Sequence, residues 1–262
     1  MFGKKEPDNS IVDKVALFEE MVLGKSFTFF DVEDFEKIAE YYIELDFNKK
    51  ANHALDYGLK QFPNDLSLTL IKVEMLNREQ SFDNSFSMLK GISQLYPNNV
   101  EITLNLGKLY SITDQLNEAI DFLEKTYDLI MLDANYNELL SDIAYEFLQI
   151  GQNVKAITVM KKIIEINPSN DSTMMELGVA YHETGQFEEA INYFNQIIDK
   201  NPYSHLAWFN LGTIYNVNEE WNDALFAFDM CLVISEKFTA AFYGKANSYI
   251  QLKEYQNAIN AF

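Results

Sequence analysis

Residues 177–202 read LGVAYHETGQFEEAINYFNQIIDKNP, and residues 211–236 read LGTIYNVNEEWNDALFAFDMCLVISE. Gly178 aligns with Gly212, Tyr181 with Tyr215, Ala190 with Ala224 and Phe194 with Phe228, each pair 34 residues apart. A fixed interval of that size marks a chain built by repeating one supersecondary unit. The prolines keep the same period. Pro63 and Pro97 are 34 apart, as are Pro168 and Pro202, while Pro97 and Pro168 are separated by two intervals plus three residues. A single three-residue insertion therefore brings the pattern into register as repeats 32–65, 66–99, 100–136, 137–170, 171–204 and 205–238. A seventh, 239–262, is cut off within its second half.

The columns run through every repeat. A first position holds Ala39, Val73, Gly107, Ala144, Gly178, Gly212 and Ala246, and three residues later come Tyr42, Leu76, Tyr110, Phe147, Tyr181, Tyr215 and Tyr249. The second half repeats the device: Ala51, Ser85, Ala119, Ala156, Ala190, Ala224 and Ala258, each followed four residues on by Leu, Met or Phe. Spacings of three and four put side chains on one face of an α-helix. Each unit is thus two helices, broken at Gly151 and Gly185 in two repeats and at Asp46 or Asp114 in others, and closed by Asn-Pro or a similar pair. Two helices approach closely where one side chain is nearly absent, and an aromatic from the neighbouring helix fills the notch. The expected fold is all-α, with no strand in 32–262.

These columns resemble the tetratricopeptide repeat family, most fully at Trp208, Leu211, Gly212, Tyr215, Ala224 and Phe228, and least in 66–99, where Lys72, Val73, Leu76 and Ser85 depart from the usual residues. The resemblance implies a right-handed α-solenoid, a superhelix of stacked helix–turn–helix units with a 34-residue period, over 32–262. Residues 15–42 are further similar to the opening of a group of bacterial repeat proteins, many from Bacteroidetes. Ile11, Val12, Val15, Phe18, Met21 and Val22 give residues 11–24 an apolar stripe, read as a capping helix that with its linker spans 11–31. Residues 1–10 are polar and expected to be disordered. A solenoid needs a polar terminal cap, so a chain stopping inside its seventh repeat reads as a fragment of a longer protein.

Charge narrows the partners. The 262 residues carry 20 Lys and Arg against 40 Asp and Glu, with 13 basic against 24 acidic side chains in 1–136 and 7 against 16 in 137–262. An acid excess spread this evenly repels phosphate backbones and anionic lipid, which argues against nucleic acid and membrane partners. No export signal or membrane-length apolar run is present, and Cys231 is the one cysteine, so a cytoplasmic location is expected.

Nothing in the sequence assembles catalytic chemistry. His53, His182 and His205 lie in different repeats, and no two histidines are spaced to share a metal or a proton relay. Cys231 shares a packing column with Gly58 and Thr126. Glu188/Glu189 and Glu219/Glu220 stand where second helices begin and complement the positive helix end. Neither a phosphate-binding glycine loop nor a nucleophile elbow is present. The expectation is no active site, no metal and no cofactor.

What the resemblance implies instead is a non-catalytic protein–protein interaction scaffold that holds a peptide or protein segment in the concave groove lined by first helices. The alternative is a substrate-recruiting or regulatory region of a longer protein, whose catalytic or signalling domain lies beyond residue 262. The phase opposite the packing columns selects Met175, Val179, Leu206, Phe209, Asn210, Thr213, Tyr243 and Asn247 as peptide-binding residues. Phe209 and Tyr243 are the anchors, with Asn210 and Asn247 bonding a peptide backbone. Family members that clamp a C-terminal carboxylate use Lys, Arg and Asn at such sites. Here apart from Asn105 and Asn210 the sites are mostly apolar or acidic, which favours a segment with Lys or Arg beside apolar anchors. The same apolar sites also suit contact with a neighbouring repeat or with a second copy of the chain in a homo-oligomer.

Overall fold

The computed structural model describes residues 9–261, and among these every regular element is helical. The chain divides into two compact units, Met1–Lys125 and Thr126–Phe262. The first holds α1 (Asn9–Val22), α2 (Val32–Glu44), α3 (Asn48–Gln61), α4 (Leu66–Arg78), α5 (Phe82–Ser93), α6 (Val100–Ile112) and the first part of α7 (Leu116–Leu132). The second holds the rest of α7 and a 3-10 helix at Ala134–Leu139. It continues through α8 (Leu140–Gln149), α9 (Asn153–Ile166), α10 (Asp171–Thr184), α11 (Phe187–Lys200), α12 (His205–Val217), α13 (Trp221–Ile234), α14 (Thr239–Gln251) and α15 (Tyr255–Asn260). From α2 onward the helices pair as hairpins in register with the sequence repeats. The three-residue insertion lengthens α7 and is followed by the 3-10 helix.

Two recurring devices set the hairpins. First helices begin at a capping column, Asp31, Asp65, Asn99, Asn170 and Ser204, whose side-chain oxygens accept the backbone N–H three residues on, for example Leu68 to Asp65 and Ile102 to Asn99, both at 2.9 Å. Such a bond satisfies one of the orphan donors of a helix start. Each first helix then ends on a residue with positive φ: Asp46, Gln80, Asp114, Gly151, Gly185, Glu219 and Lys253, with φ between 59° and 71°. In six of these turns the following N–H bonds to the carbonyl of the large-residue column, as Phe47 does to Tyr42 and Glu220 to Tyr215. That is the 6→1 bond of a helix closed by a left-handed residue.

Packing follows the small and large columns. In the second unit the Phe228 ring fills the notch over Gly212, where a Cβ would stand 2.8 Å from it, and it also lies under Gly244, where a Cβ would stand 2.4 Å away. In the first unit Leu123 fills the notch at Gly107 in the same manner. The cap helix α1 buries Val15 and Phe18 against the first hairpin, with the Phe18 ring edge-on to Phe30, Phe35 and Tyr57. Glu19 on α1 accepts hydrogen bonds from the Tyr42 hydroxyl and from Lys50, and the Lys50 bond leads in holding its carboxyl below the usual range. The cap helix starts at Asn9 rather than Ile11, two residues inside the segment 1–10 that the sequence leaves without structure. Residues 1–8 lie outside the described residues.

Candidate functional site

The candidate face belongs to the first helices of the second unit, of which α10, α12 and α14 pack side by side. The 34-residue period puts Met175, Phe209 and Tyr243 in one column and Val179, Thr213 and Asn247 in the next. Tyr243 is 62% exposed, Val179 is 56% exposed and Asn247 is also exposed, while Met175, Phe209 and Thr213 are half-buried. Phe209 is fixed from below, with its ring 5.1 Å from that of Phe238 and 6.0 Å from that of Phe228. The Thr213 hydroxyl donates to the Phe209 carbonyl at 3.0 Å. Six of the eight expected residues therefore reach the surface on adjoining helices.

The other two do not. Leu206 and Asn210 are buried, at 4% and 3% exposure. Asn210 enters the notch left by Gly178 on the preceding first helix, where its Nδ2 donates to the Met174 carbonyl at 2.7 Å. A side chain placed by helical phase alone belongs to the groove, but a glycine opposite draws this amide into the interface between repeats. Asn216 behaves alike, donating to the Gly244 carbonyl at 3.0 Å and accepting from the Ser248 hydroxyl at 2.6 Å. These amides lock α10 to α12 and α12 to α14 and are not available to a ligand. A buried amide with its partners in place fixes register, because a shift would strand it.

Two further surface residues share these columns: the sequence places Tyr145 on the groove side without counting it among the binding residues, and it leaves Ile250 out. Tyr145 of α8, 58% exposed, occupies the Val179 column one repeat earlier, and Ile250 of α14, 49% exposed, occupies the column of buried Asn216. Column membership was the signal for both. The face is apolar with a negative border: Glu176 is exposed beside Met175, and the ammonium of Lys245 on α14 is paired with Asp229.

The cysteine is held in packing, and two of the histidines make ring contacts. Cys231 is fully buried and burial pushes its thiol up to about 12, which leaves it protonated and unreactive. His53 lies edge-on to Tyr57 at 5.0 Å and His205 edge-on to Phe238 at 5.3 Å. Lys161 bonds to Glu189 at 2.6 Å, joining α9 to α11, and its Nζ stands 5.3 and 5.1 Å from the ring centres of Tyr181 and Tyr193. Among the described residues no helix is long and apolar enough to cross a membrane.

Comparison with known proteins agrees with this architecture. The family model described as tetratricopeptide repeat matches residues 147–212, and a second model of the same description matches residues 100–129. No curated protein matches the sequence. Among solved structures, the chain is similar to one in the Naa15/Naa10 complex bound to HypK-THB, at 17% identity and a TM-score of 0.57, over 88% of this chain and 35% of that one. It is also similar to one in the APC/C hetero-tetramer Cut9-Hcn1, at 14% identity and a TM-score of 0.51, over 92% and 46%. A tetratricopeptide repeat protein from Parabacteroides merdae ATCC 43184 aligns at 14% identity and a TM-score of 0.48, over 88% and 90%. Proteins of this architecture are interaction scaffolds, generally without catalysis of their own. The repeated columns, the helical hairpins in register with them and the two family matches show that this chain carries tetratricopeptide repeats.

Proposed function

We propose that the chain binds a peptide or protein segment on the first-helix face of its second unit, with Met175, Val179, Phe209, Thr213, Tyr243 and Asn247 in contact. The observation that carries this reading is the run of apolar side chains on adjoining helices, with Tyr243 and Val179 more than half exposed. A solvated helix face is ordinarily polar, so an apolar row bordered by carboxylates marks a surface meant to be covered. Tyr243 offers a large, fairly rigid surface, and Asn247 can donate to and accept from a peptide backbone. The net acidity of residues 137–262 favours a segment with Lys or Arg beside its apolar anchors, and association that slows as salt rises.

The structure changes which variants test the idea. Phe209 is part of the packed cluster with Phe228 and Phe238, so its removal disturbs the fold as well as the face. Val179→Ser with Tyr243→Ser changes only exposed side chains. Selection of a random-peptide library on the chain should return sequences rich in Lys or Arg and in large apolar residues. Their affinity, measured by fluorescence anisotropy, should fall at least about tenfold in the double variant. Selected peptides without basic residues, or undiminished binding to the double variant, would overturn the proposal.

A further inference from the structure

The second helices present their own solvated column, and one repeat breaks its pattern. In repeat 137–170 the positions that face away from the core hold Thr158, Lys162 and Glu165, and in repeat 171–204 they hold Asn192, Gln196 and Asp199. The corresponding positions of repeat 205–238, 34 residues on, hold Phe226, Met230 and Val233. Phe226 is 60% exposed and Val233 74% exposed, with Met230 half-buried between them. The opposite side of the same helix, Ala224, Ala227, Phe228 and Cys231, is buried. α13 is therefore apolar on two opposite faces, and only one of them is used in the fold. A helix apolar all round belongs in an interior.

The outer stripe has order and a charged border. Its spacing of four and three residues runs along one side of the helix. The Phe226 ring is braced edge-on by Trp208 at 5.9 Å, and the Trp208 indole donates to the Pro202 carbonyl at 2.9 Å. Asp223 lies to one side of the stripe, and Asp229, which pairs with Lys245 of α14, to the other. We propose that this outer face of α13 docks an amphipathic helix of a partner protein that carries Lys or Arg on both flanks of its apolar stripe. An i, i+4, i+7 ridge is what a second helix packs against, and the carboxylates complement basic flanks. A second copy of the chain is disfavoured, because each copy bears a net charge of −20 and would bring like charges together. The surface lies on a second helix, apart from the first-helix face proposed above, and the two readings stand or fall separately.

The test uses the full chain and two fluorescein-labelled helical peptides. Both carry leucine at successive i, i+4 and i+7 positions, one with lysine flanks and the other with glutamate flanks. The variant Phe226→Asn, Met230→Gln, Val233→Asp installs the residues that the preceding repeat tolerates in this column. The lysine peptide should bind the wild type saturably, at least about tenfold more tightly than the glutamate peptide, and lose at least about tenfold in affinity to the variant. Val233→Asp alone should cause a smaller loss at an unchanged melting temperature, which guards against general unfolding. Val179→Ser with Tyr243→Ser should leave this binding intact. Absence of binding by the lysine peptide, equal binding by both peptides, or indifference to the α13 variants would overturn the proposal. So would sedimentation showing wild-type dimers that the triple variant abolishes, since the occupant would then be a second copy.

Discussion

Gly178→Ala isolates the contact between repeats 171–204 and 205–238. A methyl at 178 would lie 2.4 Å from Asn210 Oδ1 and 2.7 Å from its Cγ, closer than any real contact, so the amide must leave the notch. Its hydrogen bond to the Met174 carbonyl, 2.7 Å long and buried, goes with it. Stranding a buried amide or overpacking the notch each costs about 1–3 kcal/mol, and the two are alternatives because expelling Asn210 relieves the clash. Alanine returns about 1 kcal/mol over glycine in a helix interior. The net loss should be up to about 2 kcal/mol. The double variant Gly178→Ala, Asn210→Ala removes the amide that the methyl collides with, so the two changes should couple by about 1 kcal/mol rather than add. Hydrogen exchange is the suitable assay, since stacked repeats loosen locally and a single unfolding midpoint averages over them. Protection should fall in α10 and α12 and hold in α2 and α3. Unchanged protection in Gly178→Ala, or strict additivity in the double variant, would refute the notch as the source of the coupling.

Four further outcomes follow from the same geometry. Glu219→Gly or Lys253→Gly should raise the stability of its hairpin by about 0.5–1 kcal/mol, because each holds φ above 60° where a Cβ is strained; Gly185→Ala should do the reverse, and thermal melts check both. Gly91→Ala meets no atom within 4 Å and should stabilise α5 by at most about 1 kcal/mol, the control for Gly178. Cys231 should resist thiol reagents at pH 8 in the folded chain and react only at the rate of local opening, as timed by mass spectrometry. The Glu19 carboxyl is depressed by Lys50 and Tyr42, so its contribution to seating α1 is present above pH 4.5 and lost as pH falls through the lower folded value. Glu19→Gln should remove that acid-side step in the exchange protection of α1.

Much of this fold was legible because it is written in columns. The small and large positions found each hairpin, and Gly151, Gly185, Asp46 and Asp114 marked four of the seven turns. Gln80, Glu219 and Lys253 take the same left-handed conformation without any local preference for it, so packing imposes there what glycine merely permits elsewhere. The capping column at Asp31, Asp65, Asn99, Asn170 and Ser204 follows the same period and needed only to be aligned. The face was harder to read. Helical phase brings six of the expected residues to the surface, but phase describes one helix, and the fate of Asn210 is decided by a glycine on another.

Phe228 has a consequence for how such a sequence can drift. Its ring is held between the bare backbones of Gly212 and Gly244, which lie on first helices of successive repeats. Any larger residue at either glycine requires a smaller one at 228, and a smaller one at 228 opens a void that both helices border. Three positions spread over 33 residues are thus inherited as one unit, and a substitution at any of them should recur in descendants together with its match at the other two.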